Sequence, residues 1–119
     1  MDREIKFRGK RIDNGEWVYG DLIHDFKEEV GILPHDNYYQ HVDPETIGQY
    51  TGLKDRDGKE IYENDILQDK YGLCIVVWED ISWAVKSPGS EAVDYTNRKF
   101  FENCSVVGNI YEDAELLKQ

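Results

Sequence analysis

Residues 51–72 read TGLKDRDGKEIYENDILQDKYG, and the architecture follows from how this stretch is parsed. Asp57-Gly58 is a favoured hairpin tip, because Gly accepts positive φ without a steric penalty and Asp bonds its own backbone. Residues 46–51 (TIGQYT) alternate before the tip, and the chain resumes after it in Glu60, Ile61 and Tyr62. The chain then reverses between Tyr62 and Ile66, which requires a residue tolerant of left-handed φ, and Asn is the commonest choice after Gly. Asp57, Gly58, Asn64 and Asp65 are therefore read as structural turn residues. The acids of this segment also invite comparison with the twelve-residue calcium loop, but the register fails. With Gly58 in the glycine position, Leu53 falls where the first carboxylate belongs and Asn64 where a closing Glu belongs.

The same grammar extends in both directions. Ile5, Phe7 and Ile12 stand among charges, Asp13-Asn14-Gly15 turns the chain, and residues 16–23 resume the alternation, so a hairpin is expected. Residues 30–33 read as a short strand, residues 34–39 as an irregular loop, and Asp43-Pro44 as a bend. Beyond the opening stretch, residues 73–79 (LCIVVWE) are apolar on both faces, as a central strand is, and residues 82–86 pair with them. Residues 87–97 read as an exposed loop, 99–102 and 105–111 as the last strands, and 112–118 as a short closing helix. Short strands punctuated by turns define a mainly β chain: a small, partly open antiparallel β-barrel or sandwich with a short C-terminal helix. A single domain over residues 1–119 is expected, with 1–50 and 51–119 as its two lobes.

A chain of 119 residues has the length of one ordinary domain and needs no disulfide or metal to hold it. Its 39% hydrophobic content, with 3 Trp, 8 Tyr and 4 Phe, excludes a disordered solvating segment. No apolar run approaches the roughly 20 residues of a membrane span, and the amino end is charged, so a soluble, intracellular protein is expected. The net charge of −11 argues against binding nucleic acid, which requires Lys and Arg to displace counterions. The exception is the first eleven residues, where Arg3, Lys6, Arg8, Lys10 and Arg11 outnumber Asp2 and Glu4 and leave −14 on the remainder. That start reads as a strand whose outward face is charged. Its +3 is also a candidate interaction surface, since it can lie against the acidic body of a second copy and form a salt-sensitive homo-oligomer.

None of the candidate chemistries stands clear of a simpler reading. Cys74 lies in an apolar strand, where burial makes a thiol inert, while Cys104 lacks a His near it in sequence. His24, His35 and His41, with Asp36, Asp43 and Glu45, match no helical or structural-zinc spacing, so they read as surface residues and no metal or cofactor is expected. Trp17 and Trp78 read as core. Trp83, beside polar residues, reads as core too, with a partly exposed interaction anchor as the alternative.

Three segments carry a resemblance: REIKFRGKRIDNGEWVYGDLI (residues 3–23), DPETIGQYTGLKDRDGKEIYENDIL (43–67) and SVVGNIYEDAELL (105–117). Their order and spacing resemble the YopX family, small proteins carried by phages and prophages of Gram-positive bacteria. Asn64 departs from the Gly that members usually place in this turn, consistent with a need for left-handed backbone. The resemblance implies a mostly β, partly open barrel in a phage or prophage setting and supplies no reaction. The function expected is that of an accessory protein acting without catalysis, by binding a host or phage protein. An acidic mimic of DNA that occupies the basic site of a host protein is the alternative. A small nucleic-acid-binding barrel and an enzyme using Cys104 rank behind both.

Overall fold

The computed structural model describes residues 4–25, 27, 29–35, 38–79, 82–90, 94–95 and 98–118. The chain divides into two compact units, Met1–Tyr50 and Thr51–Gln119. Both are antiparallel β, as the alternation predicts, and the sheets do not close into a barrel.

In the first unit β1 (Phe7–Lys10), β2 (Trp17–His24), β3 (Val30–Leu33) and β4 (Gln40–His41) form a meander ordered β4-β3-β2-β1, and the start of β5 (Gly48–Lys54) lies on the far side of β1. Phe7 pairs with Gly20 and Lys10 with Trp17 across the expected hairpin. Gly9 makes room for Val42, whose Cγ2 would lie 2.9 Å from any added Cβ, and Val42 and Ile32 are fully buried here. Between β4 and β5 the chain makes a single 3-10 turn, Pro44–Thr46, rather than a plain bend. Asp43 caps it, its carboxylate accepting the Glu45 N–H at 3.0 Å, and Pro44 fills a first-turn position where its missing N–H costs nothing.

In the second unit β5 continues into the hairpin with β6 (Glu60–Tyr62), and β7 (Asp65–Asp69), β8 (Gly72–Glu79), β9 (Ser82–Lys86), β10 (Asp94–Tyr95) and β11 (Ser105–Asn109) form a sheet ordered β10-β9-β8-β7-β11. The doubly apolar β8 takes the central place in this order, with Val76 fully buried and the residues on either side of it half-buried. The core consists of Ile61, Leu67, Val76, Val85, Phe101 and Cys104. Residues 99–102, read as a strand, belong instead to a short helix, α1 (Arg98–Glu102). The helical turn buries Phe101 in the core and points its carbonyls at Asn103 and Cys104, whose side chains donate to Lys99 O and Phe100 O. Packing has overridden the β preference of two successive Phe residues. The expected closing helix is a 3-10 segment, Ala114–Lys118.

Open edges, the premise for self-association, are blunted in ways the sequence conceals. Edge strands β4 and β10 have two residues each, and β11 carries a register shift between Val106 and Gly108.

Candidate functional site

The clearest cluster of chemistry-bearing side chains lies where β2, β3 and β4 meet in the first unit. After β2 the chain turns through Asp25, whose Oδ1 accepts the N–H groups of Lys27 at 2.8 Å and Glu29 at 3.0 Å. The Asp25 N–H in turn donates to the Glu29 carbonyl at 2.9 Å. With Oδ1 so engaged, Oδ2 is presented outward. The β3–β4 register sets Gly31 opposite His41, and His41 Nε2 lies 3.3 Å from Asp25 Oδ2 and 3.2 Å from Glu29 Oε2. Burial acts to raise the Asp25 pKa, but the Lys27 and Glu29 N–H groups and His41 outweigh it and hold the carboxyl below its usual range.

Tyr39 completes the group. Its ring meets that of His41 edge to face at 5.0 Å and covers Gly31, where any Cβ would collide with the ring. The Tyr39 hydroxyl is buried without a hydrogen-bond partner among the described residues. Burial, with the charges of Asp25 and Glu29, pushes its ionisation upward, so it stays a neutral phenol. A cavity of about 620 Å³ opens alongside, lined by Ile12, Val30, Tyr39, His41, Val42 and Pro44 among others. Sequence reading considered His41 but joined it to Asp36, Asp43 and Glu45. Of these, Asp43 is spent on its cap, and Asp36 lies outside the described residues.

The basic start is not an outward charged face. Arg8 is only 5% exposed, its guanidinium 4.6 Å from the Trp17 ring centroid, and Lys10 shares that ring while Lys6 lies over Tyr50. Arg11 forms a two-point pair with Asp13 at 2.9 and 2.7 Å. Arg3 lies outside the described residues. These cations are turned to aromatics and an acid of their own unit, because β1 is an interior strand between β2 and β5.

Of the two tryptophans of the second unit, both expected in the core, one packs on it and the other does not. Trp78 and Trp83 face each other across β8 and β9, ring centroids 4.8 Å apart and nearly perpendicular. Trp83 packs on the core, whereas Trp78, expected to be buried, is 47% exposed. The pair lies two positions beyond Val76 and Val85 toward the hairpin end.

The turn residues serve the backbone as expected. Gly58 has φ 84° and Asn64 φ 70°. Asp65 Oδ2 accepts the Tyr62 N–H at 2.7 Å, and Asp57 accepts a longer bond from the Ser105 hydroxyl at 3.3 Å. Sequence reading missed Asp55, whose carboxylate takes the N–H groups of Asp57 and Lys59 on Oδ1 and of Val106 on Oδ2, joining the hairpin tip to β11.

Neither thiol is activated. Burial pushes Cys74 up to about 12 and Cys104 up to about 11, with the charge of Asp69 adding to both. Cys104 is fully buried and donates to the Phe100 carbonyl, in a unit that contains no His. Alkylation at pH 7.5, followed by mass spectrometry, is expected to label Cys104 at least about a hundredfold more slowly than a free thiol. Rapid labelling would mark it as a nucleophile.

Two antiparallel units with buried or half-buried cysteines, structural turns and one cluster of potential ligands define a small β protein. The YopX protein family model matches residues 6–118, and the chain belongs to that family. No curated protein matches it. Among the described residues, no helix is long and apolar enough to cross a membrane.

Proposed function

We propose that this chain is a phage or prophage accessory protein that acts in the bacterial cytoplasm by binding a host or phage protein, without catalysis. The observation that carries this reading is the Trp78–Trp83 pair, with Trp78 half exposed at the end of the β8–β9 hairpin. Exposed Trp is costly to hydrate and is the residue most enriched at the energetic centres of protein interfaces. Held edge to face by Trp83, it is already ordered and loses little side-chain entropy on binding. The protected thiols support a non-enzymatic role.

What favours this over DNA mimicry is the use made of the acids. Asp25, Asp43, Asp55, Asp65, Asp69 and Asp113 all accept backbone N–H groups. Six of the 25 acids are thus turned to backbone N–H groups of their own turns and caps rather than presented as a phosphate-like array.

The test is comparative capture from lysate of a phage-carrying Gram-positive host, using immobilised wild type, Trp78→Ala and Tyr71→Ala chains. Tyr71, also exposed, precedes the opposite end of β8 and serves as control. A protein retained by the wild type and Tyr71→Ala but depleted about tenfold or more by Trp78→Ala is expected, since anchor residues contribute at least about 2 kcal/mol. Equal retention by all three chains would overturn the reading.

A further inference from the structure

We propose that Asp25, Glu29 and His41 form a binding site for a single divalent first-row transition-metal ion of the Zn²⁺ class. One imidazole nitrogen and two carboxylate oxygens lie within 4.8 Å of one another. A tetrahedral ion with bonds of about 2.0–2.1 Å holds its ligand atoms roughly 3.3 Å apart. His41 Nε2 stands at 3.3 Å from Asp25 Oδ2 and 3.2 Å from Glu29 Oε2, so two edges of that tetrahedron are already formed.

Two of the three ligands are held in this geometry. Asp25 is fixed by two backbone N–H bonds to its other oxygen, and His41 is seated on an edge strand in register with Gly31. Fixed ligands lose little entropy when the ion arrives. The donor set also selects the ion: Ca²⁺ and Mg²⁺ take oxygen ligands, whereas imidazole suits Zn²⁺, Co²⁺ and Ni²⁺. Three protein ligands leave a coordination position for water or for an external donor, as in sites that are not purely structural.

Tyr39 is an independent sign of a ligand at this place. Its hydroxyl is buried and has no partner among the described residues, and its ring touches that of His41 in the wall of the cavity that His41 and Glu29 also line. A buried hydroxyl without a partner costs about 1–3 kcal/mol, and a metal-bound water is a partner of the right chemistry. The inference is separate from the Trp78 surface, which lies in the other unit, so either can fail alone.

The experiment is calorimetric titration of the full, tag-free chain with ZnCl₂, and with CoCl₂ followed by visible absorption, on wild type, His41→Ala, Glu29→Gln and the control His24→Ala. Circular dichroism confirms that each chain is folded; His41 and Glu29 are exposed, so their removal leaves the core intact. Expected are one ion per chain, a rise in Tm with Zn²⁺, retention by His24→Ala, and affinity lowered about a hundredfold or more by His41→Ala and clearly by Glu29→Gln. Three results would each overturn the assignment: no binding at 100-fold excess metal, binding indifferent to both ligand substitutions, or equal affinity for Mg²⁺.

Discussion

Asp55→Ala is expected to destabilise the protein by roughly 3 kcal/mol or more, with a fall in Tm of about 10–20 °C measured by calorimetry. Asp55 is only 6% exposed and is the common acceptor for the N–H groups of Asp57, Lys59 and Val106 at 2.8–2.9 Å. Truncation leaves these donors without an acceptor; those at the exposed tip recover water, and the Val106 N–H, partly buried in β11, does so poorly. Asn at this position keeps the shape but places a donor among donors, so it is expected to recover little. A change below about 1 kcal/mol in Asp55→Ala would refute the role of this carboxylate as the tie between the β5–β6 hairpin and β11.

The same residue makes a pH prediction with a definite sign. Burial works to raise the Asp55 pKa, but the Val106, Lys59 and Asp57 N–H groups, aided by the Lys59 charge, outweigh it and lower the pKa. The folded carboxylate therefore binds its proton more weakly than the unfolded one, and its contribution is complete above the unfolded pKa of about 3.9. It is lost as pH falls through the lower folded value. The stability gap between wild type and Asp55→Ala should be constant near neutrality and narrow below about pH 4, as urea denaturation at a series of pH values will report.

Gly20→Ala should be comparably damaging, by about 3 kcal/mol, for a steric reason. A Cβ at this point of β2 would run into the Leu33 carbonyl oxygen and lie 2.8 Å from Leu33 C and 2.9 Å from the Pro34 Cα. These are backbone atoms, so the clash is relieved only by parting β2 from β3, which pair from Asp21–Leu33 to His24–Val30. Gly15→Ala is the comparison. Gly15 has φ 73° and nothing within 4 Å of an added Cβ, so the change costs only the left-handed backbone penalty of about 1 kcal/mol. Equal losses in the two variants would show that close strand approach is not what requires Gly20. Because β3 also carries Gly31, opposite His41, the Gly20 change is expected to weaken the ligand cluster as well.

Local chemistry accounts for what was legible beforehand. The Asp57-Gly58 tip, the left-handed Asn64, the β1–β2 hairpin and the central place of β8 depend on turn residues and period-2 patterning, and both act within a few residues. The YopX segments were legible for the same reason, since they consist largely of such turns and strands. Tertiary packing settled the rest. Residues 98–102 became a helix because Phe101 and Cys104 reach the core that way, against their β preference. Trp78 rather than Trp83 faces solvent because β8, apolar on both faces, carries no internal sign of where the core ends. Arg8 was buried against Trp17 by the position of β1 inside a sheet. Asp25 and His41, sixteen residues apart, share no local period and meet only because a turn folds β3 back onto β2 and a two-residue edge strand aligns on β3. Proximity of this kind is a property of strand register over long separations, which composition and spacing do not encode.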